Sequence, residues 1–90
     1  MDRIELFPSL SHCIETMARE EFWNSVNHYM ESGQEDKKLE KRIELLKAFL
    51  ESTDFKQLRS QSEKYLIKGR HVKFIVTRKE GKPSYEMVVI

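Results

Sequence analysis

The last twenty residues constrain the fold most. His71 to Arg78 and Pro83 to Ile90 are alternating runs rich in β-branched and aromatic side chains, and Lys79-Glu80-Gly81-Lys82 separates them. That is the pattern of an antiparallel hairpin. Two registers compete. Pairing Arg78 with Lys82 sets Phe74 opposite Glu86 and Val76 opposite Ser84. Pairing Arg78 with Pro83 stacks Val72 on Val89, Phe74 on Met87 and Val76 on Tyr85, all on one face. A one-residue slip turns every side chain to the wrong side, so the second register is expected. It implies a four-residue loop built on a type I turn, with Gly81 taking the positive φ. Pro83 must then occupy a position whose N–H the hairpin does not need.

A two-stranded ribbon is marginal alone, so the rest of the chain must cover it. Arg3 to Phe7 alternates with Ile4 and Leu6 on one side, an edge-strand pattern that Pro8 ends. Three helices are expected over about 10–31, 36–51 and 54–68. Ser9 or Ser11 offers an N-cap to the first, and Ser32-Gly33 closes it. Its apolar positions form two clusters, Leu10, Cys13, Ile14 and Met17, then Ala18, Phe22, Val26 and Tyr29. They lie about a third of a turn apart at 100° per residue, so the helix either bends near Met17 to Arg19 or packs its halves on different neighbours. Glu35-Asp36 precedes a second helix with the stripe Leu39, Ile43, Leu46, Phe49 and Leu50, flanked by Leu45. Asp54 with Gln57 three residues on is a capping-box pattern for a third, which presents Phe55, Leu58, Ser62, Tyr65 and Leu66 and ends at Gly69. The expected fold is α+β, a three-helix layer on a small antiparallel sheet made of the C-terminal hairpin with the N-terminal strand at its edge. Ninety residues make one domain, 1–90, with no linker or repeat.

Some apolar residues exceed what this core can use. Trp23 and Met30 fall further round the first helix and widen its expected buried zone in the second half, which a second chain would explain. Ile75, Val88 and Ile90 lie on the hairpin's outer face among His71, Lys73 and Glu86. Apolar faces and open strand edges seek partners, so these five residues are the candidate contacts of a homodimer.

Charge divides along the chain. Residues 1–55 carry seven Lys/Arg against twelve Asp/Glu, a net of −5, and residues 56–90 carry nine against three, a net of +6. The candidate anion-binding set is Arg59, Lys64, Lys68, Arg70, Lys73, Arg78, Lys79 and Lys82, with Gln57, Ser60 and Gln61 on the third helix's polar face. Such residues meet phosphates and base edges, so nucleic acid or an acidic protein is the alternative partner. The plainer reading is that the halves neutralise each other in the fold. Three helices followed by a basic hairpin is also the element order of winged-helix DNA-binding domains, though no motif is shared. The second helix is too long for a helix-turn-helix, and Ser52-Thr53-Asp54 lacks the usual glycine turn.

No catalytic set is expected. His12 and Cys13 are neighbours pointing about 100° apart on a helix, and His12 with Glu15 is too small a group for a metal. No spacing ties Cys13 to a base at His28 or His71. Glu20-Glu21 and Glu35-Asp36 read as solvated helix surface, and glycines at 33, 69 and 81 are too scattered for a phosphate loop. Trp23, Phe22 and Tyr29 sit at helical spacing and read as packing residues rather than a stacking platform. No cofactor is expected. One cysteine, no leader-like opening and no long apolar run lead to a cytoplasmic, non-membrane protein as the expectation. The expected function is a non-enzymatic, homodimeric interaction module.

Overall fold

The structure is a computed structural model that describes residues 3–90. Met1 and Asp2 lie outside the described residues. The elements run β1 (Arg3–Leu6), α1 (Ile14–Glu31), α2 (Lys37–Ser52), α3 (Phe55–Leu66), β2 (Val72–Lys79) and β3 (Lys82–Val89). The strands form one antiparallel sheet in the order β1-β2-β3, with the helices on one of its faces. The fold is the expected α+β arrangement.

The hairpin adopts the register with the apolar pairs stacked: Val72 opposite Val89, Phe74 opposite Met87, Val76 opposite Tyr85 and Arg78 opposite Pro83. The turn differs from expectation. Lys79 pairs with Lys82, leaving two residues at the tip, and both Glu80 (φ 54°) and Gly81 (φ 78°) are left-handed. That is a type I′ turn, whose twist matches the strands where a type I turn would splay them. The strands therefore span 72–79 and 82–89 rather than 71–78 and 83–90.

β1 lies along the other side of β2, with Ile4 opposite Val76 and Leu6 opposite Phe74. It ends at Leu6, one residue short of the expected Phe7. Ile4, Leu6, Val72, Phe74 and Val76 point into the core, where they meet Ile14, Ala18, Leu45, Leu46, Phe49 and Leu58. Phe49 anchors the layers, its ring 5.3 Å from Phe55 and 6.1 Å from Tyr85, both edge-on. Burying a side chain of this size contributes about 2–3 kcal/mol. A typical exposed ion pair contributes about 0.2–1 kcal/mol. Packing therefore holds the fold.

α1 starts at Ile14 instead of about residue 10. Ser9 and His12 close a tight turn, Ser9 N to His12 O at 2.9 Å and His12 N to Ser9 O at 3.2 Å. Those backbone groups are lost to a helix, Cys13 becomes the N-cap residue in place of either serine, and Leu10 is left exposed rather than in the core. The halves of α1 do meet different neighbours. Its start lies beside Phe55 and Arg59 of α3. Its later turns reach α2, with Glu21 Oε2 2.9 Å from Arg42 Nη2 and the Tyr29 hydroxyl 3.4 Å from Glu40 Oε2. Ser25, one turn from both Glu21 and Tyr29, is buried there; its small side chain lets the helices approach.

α2 and α3 begin where carboxylates cap them. Asp36 accepts from the Lys38 and Leu39 amides, and Asp54 from the Gln57 amide. Leu45, expected only to flank the α2 stripe, is fully buried, whereas Leu39, Ile43 and Leu50 are half-buried. α2 touches both α1 and the sheet, so a wider arc of it is covered than a one-sided stripe. α3 stops at Leu66 instead of 68 because its last turn tightens: Lys68 N and Gly69 N bond three residues back, to Tyr65 O and Leu66 O, and Gly69 at φ 79° lets Arg70 N also reach Tyr65 O in a Schellman closure.

Candidate functional site

The eight basic candidates do not form one surface. Arg59 Nε is held 2.9 Å from Glu63 Oε1. Lys73 Nζ lies 3.4 Å from Glu5 Oε1 across the outer face of the sheet, where Arg3 Nη2 also reaches that oxygen at 2.9 Å. Those hydrogen bonds and charges, Arg3 first and then Lys73, hold the Glu5 carboxyl below the usual carboxylate range. Lys64 lies beside Tyr65 and Met87, and Lys68 and Arg70 follow α3 at the sheet end where β2 begins. Arg78, Lys79 and Lys82 are at the hairpin tip, about 23 Å away at the strand rise. Lys79 and Lys82 face each other directly on the outer face, a like-charge pair that weakens the sheet slightly. α2 and α3 meet at the corner where Phe49 and Phe55 pack edge-to-face and do not lie along each other. A helix-turn-helix pair needs a closer arrangement.

The five interface candidates also divide. Trp23 and Met30, 61% and 58% exposed, lie opposite the buried arc of α1, facing away from the core. Trp23 lines an open groove of about 560 Å³ with Thr16, Arg19, Glu20 and Asn24. Ile75 and Val88 are half-buried on the outer face of the sheet, and Ile90 is exposed at its end. Register places the outer face in rows: Lys79 and Lys82, then Arg3, Thr77 and Ser84, then Glu5, Ile75 and Glu86, then Lys73 and Val88. Ile90 continues this face, its amide bonding His71 O at 2.8 Å. The α1 pair and the sheet residues therefore occupy separate surfaces.

The edge of the sheet is the more telling feature. β3 has β2 on one side and no strand on the other among the described residues. In an antiparallel pair, opposed residues alternate between exchanging hydrogen bonds and pointing their amides outward. The Ile90 to His71 bond fixes the phase. Lys82, Ser84, Glu86 and Val88 bond to β2, while Pro83, Tyr85, Met87 and Val89 turn their backbone to the open edge. Pro83 thus sits where its missing N–H costs β2 nothing, as the sequence required. Tyr85, Met87 and Val89 are left with outward N–H and C=O groups.

Two further features lie outside the candidate sets. Phe7, Leu10 and Ile67 are 52%, 59% and 71% exposed; Leu10 joins Leu66, Arg70 and His71 around a groove of about 420 Å³. Arg70 Nε donates to Ile90 O at 3.2 Å, tying that end to β3. Nothing in helical periodicity marks Leu10 as exposed until the Ser9–His12 turn is known. The second feature is Cys13. The Thr16 hydroxyl, 3.2 Å from Sγ, holds the thiol below its ordinary range, and the Arg59 charge acts in the same direction against partial burial. Nearby, His12 Nε2 pairs with Glu20 Oε2 at 2.7 Å and Glu15 with Arg19, so His12 and Glu15 do not converge.

Among the described residues, no helix is long and apolar enough to cross a membrane. No curated protein and no solved structure matches the chain. A protein-family model matches residues 3–90, and the chain belongs to that family.

Proposed function

We propose that this protein is a non-enzymatic interaction module that acts as a homodimer through its sheet. The observation that carries this reading is the edge of β3, eight residues long, which has no neighbouring strand among the described residues and along which Tyr85, Met87 and Val89 direct their backbone N–H and C=O groups outward. An edge of this length, with one lysine and one proline at its start and apolar residues after them, invites pairing. Val88, half-buried on this strand, and Ile90 just after it supply apolar side chains that a partner strand would flank, whereas Ile75 lies one strand in and is not reached by an edge contact. Trp23 and Met30 belong to a different face and do not enter this contact.

Nucleic-acid binding draws less support from the geometry. Arg59 and Lys73 are drawn into ion pairs, with Lys64, Lys68 and Arg70 toward one end of the sheet and Arg78, Lys79 and Lys82 at the other. Sedimentation equilibrium of the reduced protein over micromolar concentrations tests the dimer. A mass rising from one chain to two with concentration is expected; one chain at high micromolar concentration would exclude it.

A further inference from the structure

Resting on the dimer reading, we infer a specific partner and register: β3 pairs antiparallel with β3 of a second copy, about a two-fold axis at Met87. The phase of the hairpin limits the choices. Only Pro83, Tyr85, Met87 and Val89 face the open edge, so bonded pairs across the axis must join two of these. Centring the axis on Tyr85 sets Pro83 against Met87 of the second copy and forfeits a bond for want of the proline N–H. Centring it on Glu86 sets two Glu86 side chains in a non-bonded pair. There the Cα atoms approach to about 4.5 Å, and like charges repel. Centring it on Met87 pairs Met87 with its own copy and Tyr85 with Val89, which uses every outward N–H of both edges. Two three-stranded sheets become one of six.

The side chains agree with this register. On the helix-covered face, Met87 meets Met87 and Tyr85 meets Val89, all apolar in body. On the outer face, Glu86 falls opposite Val88 of the second copy in the close, non-bonded kind of pair. Ser84 falls opposite Ile90. Val88 and Ile90 thereby gain cross-strand neighbours, and Glu86, which has no ion-pair partner among the described residues, becomes a diagonal neighbour of its own copy, about 7–8 Å away, instead of directly opposing it.

The Glu86–Val88 opposition yields a test that leaves the core alone, because both side chains are on the outer face. Val88→Glu sets acid against acid twice across the axis, and Val88→Lys sets base against acid twice. The lysine variant should dimerise roughly tenfold more tightly than the glutamate variant. Adding Glu86→Lys to Val88→Glu should restore the loss. Met87→Pro, at an outward position like that of Pro83, should give a folded monomer by sedimentation and circular dichroism. A dimer equally stable with Glu or Lys at 88, unrescued by the reversal, would overturn the register while leaving the dimer reading intact. If Met87→Pro does not fold, the charge series alone decides. A monomeric unaltered protein would overturn both.

Discussion

Single residues carry strain and reactivity that the pattern of the chain does not reveal. Glu80 stands at φ 54° in the hairpin turn, a conformation that glycine and asparagine tolerate far better than glutamate. Glu80→Asn should stabilise the protein by about 0.5–1 kcal/mol, raising Tm by roughly 3–6 °C in calorimetry. An unchanged or lower Tm would mean that the glutamate side chain contributes something the turn geometry does not show. At Cys13 the sign follows from the lowered thiol pKa. More thiolate is present at a given pH below that pKa than in an unperturbed cysteine, so alkylation by iodoacetamide near neutral pH is faster. Thr16→Val removes the leading cause and should slow the reaction, shifting its pH profile upward. For Glu5 the pKa is lowered from 4.5, so its ion pairs stabilise at neutral pH and lose their effect as acid protonates it below that range. The exposed setting keeps that contribution small.

Elements were legible where periodicity and capping agreed. The hairpin register followed from hydrophobic stacking alone, since a slip would have exposed Phe74 and Val76. Asp36 and Asp54 marked two helix starts correctly, because a carboxylate satisfying first-turn amides is a local event. Asp54→Ala should cost about 1 kcal/mol and appear as a lower urea midpoint with unchanged m-value. The α1 start was misplaced because Ser9 and His12 bond each other, a turn with no glycine, asparagine or internal proline to announce it. The tip was misjudged because Lys79 and Lys82 pair despite their like charge; the twist match of a type I′ turn outweighs a repulsion of a few tenths of a kcal/mol. Ser25 and Leu45 were underrated since their burial depends on how α1 lies on α2, which is tertiary information. Phe49→Ala removes the ring between Phe55 and Tyr85 and should destabilise by about 3–5 kcal/mol.

At the scale of the whole molecule, the candidate residues were legible as types but not as surfaces. The excess of apolar residues and the basic C-terminal segment were both visible in the chain. Their grouping was not, since only the fold separates Trp23 and Met30 from Ile75, Val88 and Ile90, and ties Lys73 to Glu5 and Arg59 to Glu63. Labelled duplex DNA or single-stranded RNA should accordingly show weak anisotropy changes at low salt that vanish at higher salt. Tight binding abolished by Ala at Arg78, Lys79 and Lys82 would instead make the hairpin tip a nucleic-acid site. The open β3 edge was hidden for another reason: a strand's neighbours are set by topology, and the β1-β2-β3 order leaves the long outer side of β3 without a strand among the described residues. Backbone amide exchange across a dilution series examines that edge most directly. The Glu86 and Val88 amides, bonded to β2, should be protected at every concentration. Those of Tyr85, Met87 and Val89 should be protected only in concentrated samples, where two chains pair. Fast exchange of these three at the highest concentration would contradict self-association along β3.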